Sequence, residues 1–412
     1  MKRVLALLLA PILSLFVLVA PARAAAPNPV VLWNSNAQQA IFEVARQAPY
    51  VAPRSFAMVH GAIYDAVNAI SGTPYEPYLT VPAARRGDSV DAAVAAAAHK
   101  VLVSLFPAQT ASLDEMYSAA LASVPDGRSK TRGIAVGTRA ADAMIAARVG
   151  DGVFGSGVWN TSTAPGQWRP APPTMASDGA WVGDLKPFVI RRGDQFRTAG
   201  PPALTSAAYA RDLNEVKALG GVNSTVRTAD QTSSAIWWHD RRLTEWEIKR
   251  QVSDRQHLST LQAARFFAIA EIANADSLIA CFNEKKHWNF WRPVTAVREA
   301  AADGNPSTTP DPAWTPLLVT PPFPDYTSGH TCSTSTILYT MRAFFGRDDI
   351  PFSAYSADSG TTRSFPSFSA ALAEVVEARI WGGVHYRAAD EQGVQIGNGV
   401  ARYVLAHEFR RR

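Results

Sequence analysis

Residues 54–70 read Arg-Ser-Phe-Ala-Met-Val-His-Gly-Ala-Ile-Tyr-Asp-Ala-Val-Asn-Ala-Ile, and the stretch ends at Ser71-Gly72. Its apolar residues recur at i, i+3 and i+4 intervals, which predicts an amphipathic helix. The same spacing is found at 90–105, 111–124, 131–148, 207–219, 258–282, 331–345, 368–379 and 394–409. Alanine is abundant and alternating patterns are nearly absent, so strands should be few. The sequence therefore predicts an all-α fold of helical bundles with long proline-rich loops.

Two proline-rich stretches interrupt the helical pattern. Residues 165–202 and residues 306–324 contain seven prolines each. Proline lacks a backbone donor and blocks helix continuation, so both stretches should be irregular connections. The first is expected to link an N-terminal helical region, 25–164, to a C-terminal helical domain, 203–412. Loops of this length inside a compact domain usually carry function.

The first 24 residues have the pattern of a secretory signal. A basic start, Met1-Lys2-Arg3, precedes an apolar run over 4–20 and the small-residue end Ala22-Arg23-Ala24. This order predicts cleavage after Ala24 and export to the periplasm or the extracellular space. An uncleaved membrane anchor is the alternative. No later stretch has 18 consecutive apolar residues, so we expect no membrane span in the mature chain.

Composition and charge restrict the class of protein. The chain is 47% hydrophobic and 18% charged, as in ordinary globular proteins. Removal of the signal leaves 37 basic and 35 acidic residues, a net charge of +2. This balance gives no argument for binding to nucleic acid or to a membrane surface. The two cysteines, Cys281 and Cys332, can pair or remain free and buried, because sequence does not place their Cα atoms.

The first of three short segments with chemical character is Lys285-Lys286-His287-Trp288-Asn289-Phe290-Trp291-Arg292-Pro293. Lys285 and Arg292 are seven residues apart, about two helical turns, so both cations can point the same way. Pro293 disfavours helical geometry at Arg292, so a helix should kink or end there. Alone, the segment is better explained as a solvated basic face.

The second segment, Phe323-Pro324-Asp325-Tyr326-Thr327-Ser328-Gly329-His330, lies where a proline-rich loop meets a predicted helix. Thr327 or Ser328 can cap that helix. The free N–H groups of a helix start attract an anion, and Gly329 permits close approach to the backbone. His330 can exchange a proton near neutral pH. Alone, the segment is better explained as a capped helix with an exposed histidine.

The third segment runs from Ala378 to Asp390 and contains Arg379 and His385, six residues apart. That spacing does not place them on one helical face, but Gly382-Gly383 between them can turn the chain. Both side chains can then reach one point from two directions. The planar guanidinium of an arginine matches two oxygens of an oxyanion at once. Alone, a surface arginine and a loop histidine explain the segment better.

Together, the three segments supply three cations, a hydroxyl, backbone N–H groups and two histidines. This set fits a dianionic or trianionic tetrahedral ligand, whose charge must be neutralised and whose oxygens must be bonded. One histidine can attack or ligate the central atom, while the other handles a proton.

The ordered patterns Lys-x6-Arg-Pro, Ser-Gly-His and Arg-x5-His resemble the vanadium-dependent haloperoxidases and the wider type 2 phosphatidic acid phosphatase (PAP2) superfamily, bacterial haloperoxidase-like members in particular. The resemblance implies an all-α bundle and vanadate as cofactor. It further implies that hydrogen peroxide and a halide or organic small molecule are the substrates.

The resemblance also implies residue roles. The oxyanion would be bound by Lys285, Arg292, Ser328, Gly329 and Arg379. His385 would ligate vanadium, or attack phosphorus in a phosphatase. His330 would be the acid–base residue that deprotonates peroxide, and Lys285 would polarise the bound peroxide before halide attack.

Two positions depart from the family pattern. Thr327 stands where a proline is usual, which is a minor change in a capped loop. The family places an aspartate four residues after the last histidine, whereas Asp390 lies five after His385. An i,i+5 pair does not share a helical face. Asp390 is therefore a possible orienter of His385, and a backbone carbonyl is the alternative.

Three readings of the activity follow. Aromatic residues around Lys285 and Ser328, the length of the chain and the expected lack of a membrane span favour a vanadium haloperoxidase. A secreted PAP2 acid phosphatase with His385 as nucleophile is the alternative, with phosphate as ligand. A non-catalytic oxyanion-binding envelope protein is a third reading, which the two histidines disfavour. By resemblance, Phe323 and Phe282 lie near the halide.

Other histidines receive ordinary interpretations. His239-Asp240-Arg241-Arg242 is typical of a solvated helical face, and His60 is typical of a satisfied core histidine.

Overall fold

The computed structural model describes residues 27–412, apart from the side chains of 241–245. The predicted secretory signal, 1–24, lies outside the described residues.

Helices dominate the described part of the chain, with one β-hairpin. The elements are α1 (Pro29–Gln38), α2 (Ala52–Ile70), α3 (Val90–Leu105), α4 (Thr110–Ala122), α5 (Arg128–Ala147), α6 (Ala207–Gly220), α7 (Ala229–His239), α8 (Arg241–Arg255), α9 (Thr260–Trp288), α10 (Pro293–Arg298), α11 (Gly329–Phe345), β1 (Phe352–Ser356), β2 (Thr361–Phe365), α12 (Phe368–Trp381) and α13 (Arg387–His407). The two strands pair antiparallel, with Phe352 opposite Phe365.

The predicted all-α class is confirmed, and each helical pattern identified in the sequence corresponds to a helix with ends shifted by a few residues. The two largest extensions are in α13, which begins at Arg387 rather than at residue 394, and in α9, which continues beyond residue 282 to Trp288 and ends at Asn289 in the left-handed conformation. The apolar spacing of the sequence did not predict α1, α7, α8, α10 or the hairpin. These elements are short or mostly polar, so their apolar spacing is weak.

Helix α9 is the centre of the protein, and helices α2, α11 and α13 pack against it. It is long and apolar enough to cross a membrane, but 94% of its most apolar 18-residue stretch is buried inside the protein. That burial is the property of a core helix, since a surface of α9 available to lipid is nearly absent. Helix α2 precedes the proline-rich connection at 165–202 and α9 follows it, so the parts of the chain on the two sides of this connection pack against each other.

Glycines bring α13 close to α11. A Cβ atom on Gly397 would lie 2.3 Å from the carbonyl oxygen of Cys332, and one on Gly393 would lie 2.1 Å from Oγ1 of Thr331. Only glycine permits this approach. The close packing places the start of α13 beside the start of α11, near the end of α9. Three helix ends therefore meet where the three polar segments of the sequence lie.

Candidate oxyanion site

Lys285 lies in the last turn of α9 and is fully buried. Its Nζ atom donates hydrogen bonds to the carbonyl oxygens of Pro324 (2.9 Å) and Asp325 (2.8 Å). Burial, with a smaller effect of the neighbouring Arg292, lowers the pKa of Lys285 to about 8. The side chain thus remains mainly protonated at neutral pH and ties α9 to the loop before α11.

Arg292 precedes α10, where Pro293 occupies the first turn. Its Nε donates to the carbonyl of Phe323 and its Nη1 to the carbonyl of Val384, both at 2.8 Å. Its Nη2 is buried without a hydrogen-bond partner among the described residues. Two donors therefore fix the guanidinium between two loops, and a third is left for a ligand.

Ser328 is the N-cap residue of α11, but its side chain does not cap the helix. Its buried hydroxyl interacts with the Asp390 carboxyl without forming a regular hydrogen bond. Gly329 and His330 form the first turn, where backbone N–H groups have no acceptor within the helix. The predicted capping role of Ser328 is wrong, so its hydroxyl is available to a bound anion together with these N–H groups.

Arg379 and His385 approach from the third segment. Arg379 is fully buried in the last turn of α12, and His385 is buried just before α13. The chain reverses between them at Gly382-Gly383, where Gly383 has φ +74°. Burial and the charges of Arg292, Lys285 and Arg379 lower the pKa of His385 well below its ordinary value. The imidazole is therefore neutral at pH 7 and retains a lone pair.

Asp325 is a site residue to which sequence analysis assigned no role. One of its carboxylate oxygens lies 2.8 Å from Nδ1 of His385 and 3.6 Å from Nη1 of Arg292. At the shorter of these separations the carboxyl of Asp325 contacts the neutral ring of His385 directly. Burial raises the pKa of Asp325 to about 7, while Arg292 and Lys285 oppose the shift. The only feature of the sequence that could have indicated a role for Asp325 is the presence of an acid between Pro324 and Tyr326, in an otherwise apolar stretch.

The Asp390 carboxyl lies elsewhere in the site. It is buried in the first turn of α13, where the Ser328 hydroxyl and the charge of Arg379 act on it. Burial raises its pKa well above the ordinary value. The contact with His385 for which Asp390 was a candidate is made by Asp325 instead.

The charges of this cluster favour an anion. Lys285, Arg292 and Arg379 are three fully buried cations, and the two buried acids beside them, Asp325 and Asp390, both have raised pKa values. Each acid is thus held towards its neutral form, and positive charge is in excess. Buried charge without compensation is costly, so the cluster is suited to bind a multiply charged oxyanion.

A cavity of about 510 Å³ opens onto the cluster. Gly329, His330 and His385 line its inner end. An apolar wall is formed by Tyr50, Phe282 and Phe323, whose rings lie 5.0 to 5.6 Å apart between centroids. His239, Asp240 and Asp358 form part of the opposite side. The volume and mostly apolar lining are those of a small-molecule site.

Known proteins match the region that holds this site. A family model described as the VCPO second helical-bundle domain matches residues 265–411. The vanadium chloroperoxidase of Curvularia inaequalis is 28% identical over 212 residues, which cover 40% of this chain and 34% of that protein. The match thus spans about a third of the relative's length. The part of this chain that holds the site is thus similar to vanadium haloperoxidases.

Solved structures extend the similarity to nearly the whole fold. A structure of the first bacterial vanadium-dependent iodoperoxidase aligns with a TM-score of 0.79 at 23% identity, covering 95% of this chain and 99% of that one. A holo-type bacterial vanadium-dependent chloroperoxidase aligns with a TM-score of 0.72 at 17% identity, covering 91% and 96% of the two chains. These likenesses establish a vanadium haloperoxidase fold.

The structure brings the residues predicted to bind an oxyanion together. Buried neighbours around one point are Lys285, Arg292, Ser328, Gly329, Arg379 and His385, with His330 at the same cavity. Phe282 and Phe323 flank Lys285, whose Nζ lies 5.9 Å and 5.1 Å from their ring centroids. Side chains that lie up to about a hundred positions apart in the sequence, between residues 282 and 385, thus form one site in the folded protein.

The interpretation of His239 and Asp240 as a solvated helical face is wrong. Asp240 is buried, and both residues line the cavity. The polar spacing around them gave no sign of this, because their environment is supplied by α11 and the hairpin turn. Both cysteines are free and buried, and Thr327 Oγ1 lies 3.4 Å from the Cys281 sulfur and 3.6 Å from the Cys332 sulfur.

Proposed function

We propose that this protein is a vanadium-dependent haloperoxidase that oxidises halide with hydrogen peroxide: X⁻ + H₂O₂ + H⁺ → HOX + H₂O. The observation that carries the proposal is the surplus of buried positive charge around a neutral, buried His385, at the inner end of a cavity that His330 also lines. The similarity of residues 265–411 to vanadium haloperoxidases and the shared fold support it. We also propose that the protein is exported, as its first 24 residues suggest.

The residues of the site fit vanadate. Lys285, Arg292 and Arg379 offset its charge, and the unused Nη2 of Arg292, the Ser328 hydroxyl and the Gly329 N–H supply donors for its oxygens. His385 offers the imidazole nitrogen that would hold the metal. When bound, vanadate supplies a Lewis acid that activates peroxide towards a halide without itself changing oxidation state.

Asp325 prepares His385 for this role. Its contact at Nδ1 favours the tautomer that carries the proton on Nδ1 and the lone pair on Nε2, which lies 3.2 Å from Nη1 of Arg292. The same carboxylate lies near Arg292, so one acid positions two binding groups. Arg292 also holds the His385 loop through its bond to Val384.

His330 handles the proton of the peroxide. It lies at the start of α11 and lines the cavity beside Gly329, so it can take a proton from an incoming peroxide O–H group. Lys285 adds positive charge beside the reacting oxygen. Phe282 and Phe323 form an apolar wall for the halide, which is weakly hydrated, and they exclude water from the oxidised halogen.

A test uses the purified protein. The protein is loaded with orthovanadate and given peroxide with chloride, bromide or iodide, while halogenation of a phenolic dye is followed. Turnover that requires vanadate and is abolished by His385→Ala is expected. In parallel, a phosphate monoester is supplied without vanadate. Ester hydrolysis inhibited by vanadate, without dye turnover, would establish the phosphatase instead. Vanadate binding without either activity would leave an oxyanion-binding protein.

A further inference from the structure

A second imidazole faces the same cavity as His330. His239 is the last residue of α7, and its ring centroid lies 6.1 Å from that of His330 with the two ring planes 10° apart. Both residues line the cavity. The Nδ1 atom of His239 is buried without a hydrogen-bond partner among the described residues. A buried, unpartnered ring nitrogen beside the proton-handling residue requires an explanation.

The groups around His239 keep its ring neutral. Burial and the charge of Arg379 from α12 lower its pKa to about 4, while Asp358 from the hairpin turn opposes the shift. Asp240 is its chain neighbour, and His330 faces it from α11. A neutral imidazole has one N–H donor and one acceptor nitrogen. At neutral pH, His239 can therefore accept a hydrogen bond from a small molecule in the cavity.

We propose that His239 binds hydrogen peroxide jointly with His330. Peroxide has two O–H groups that diverge, and one donates to His239 while the other is presented to His330. The two nearly parallel rings, with centroids 6.1 Å apart, both line the cavity, so one small molecule in it can reach a nitrogen of each ring. His239 makes no covalent contact and only orients the oxidant. The inference rests on the proposed haloperoxidase function and extends it to capture of the peroxide.

The experiment compares His239→Leu and His239→Gln with the unmodified vanadate-loaded protein. We expect His239→Leu to raise the KM for peroxide by about 3- to 10-fold, the loss of one neutral hydrogen bond, with kcat changed by less than about 2-fold. His239→Gln keeps an acceptor and should recover part of the affinity. The KM for halide and the Kd for vanadate should not change. His287→Leu, an exposed histidine away from the cavity, is the matched control.

A second measurement does not depend on turnover. Imidazole ¹⁵N resonances of His239, assigned from their loss in His239→Gln, should shift when peroxide is added to the loaded protein without halide. Folding of each variant is checked by thermal unfolding. An unchanged peroxide KM in both folded variants, or ¹⁵N resonances that do not respond, would overturn the inference while leaving the haloperoxidase function intact. An unmodified protein without halide oxidation would overturn both.

Discussion

Nδ1 of His385 lies 2.8 Å from a carboxylate oxygen of Asp325, and both side chains are buried. The two residues come from different loops, one before α11 and one before α13. Their contact fixes the ring that would hold the oxyanion's central atom. The same carboxylate oxygen of Asp325 lies 3.6 Å from Nη1 of Arg292. Asp325 is therefore the residue on which the geometry of the site depends most directly.

Replacing Asp325 should weaken vanadate binding. Asp325→Asn removes the charge that favours the Nδ1–H tautomer of His385, and loss of such a supporting contact typically costs about 10- to 100-fold in affinity. Titration of the vanadate-free protein with orthovanadate, followed by calorimetry, measures the Kd. Asp390→Asn is the matched variant, because Asp390 is equally buried but does not contact His385. A greater loss in Asp390→Asn than in Asp325→Asn would assign the orienting role to Asp390.

The same substitution should have a pH-dependent effect on stability. The pKa of Asp325 is about 7 in the folded protein, whereas an unfolded aspartate titrates near 4. The unfolded chain thus loses this proton first, and ionisation destabilises the vanadate-free fold increasingly as the pH rises from about 4 to about 7. Asp325→Asn cannot ionise. Its free energy of unfolding, relative to the unmodified protein, should rise across this window by at least about 1 kcal/mol.

Urea unfolding of both proteins at the two ends of that pH window checks this prediction. A difference between the two proteins that stays constant with pH would show that the carboxyl of Asp325 titrates in its ordinary range.

Gly383 should tolerate no side chain. Its φ is +74°, and a Cβ atom would lie 2.3 Å from the carbonyl oxygen of Gly220. Gly346 is the matched control, since its φ is +69° but nothing lies within 4 Å of an added Cβ. Gly346→Ala should cost about 1 kcal/mol, the strain of a left-handed alanine. Gly383→Ala should cost about 3 kcal/mol or more and weaken vanadate binding, because the clash displaces His385.

Chemical denaturation of both alanine variants measures the two costs. Equal losses of stability would mean that the chain near Gly220 moves aside freely, and the turn would then not hold His385 in place.

The two cysteines should behave as inaccessible thiols. Cys281 and Cys332 are fully buried and share contacts with Thr327. A water-soluble disulfide reagent should therefore not react with the native protein on the time scale of minutes, and it should titrate two thiols after unfolding. Fast labelling of the native state would show that this region opens. A lack of thiols in the unfolded chain would show that the cysteines are paired.

Much of the fold and of the site was predictable from local pattern. The apolar spacing in 54–70 and in the similar stretches predicted the all-α class, because the residues on one face of a helix recur every three or four positions in the sequence. The residue types in the three short segments indicated an oxyanion ligand, because cations and a helix start attract an anion and histidines can transfer a proton wherever they lie in a fold. They also placed Lys285, Arg292 and Arg379 in one site, although each segment alone was ambiguous.

Tertiary structure decided the supporting contacts and the electrostatics. Asp325 and His385 are 60 residues apart, and His239 and His330 are 91 residues apart. No periodic pattern reports such pairs, because they depend on how α7, α11 and α13 pack. Burial likewise sets the pKa values of Asp325, Lys285 and His385. The sequence by itself determined the cations and the two histidines that bind the oxyanion, while packing determined which supporting groups touch them and which groups carry a charge.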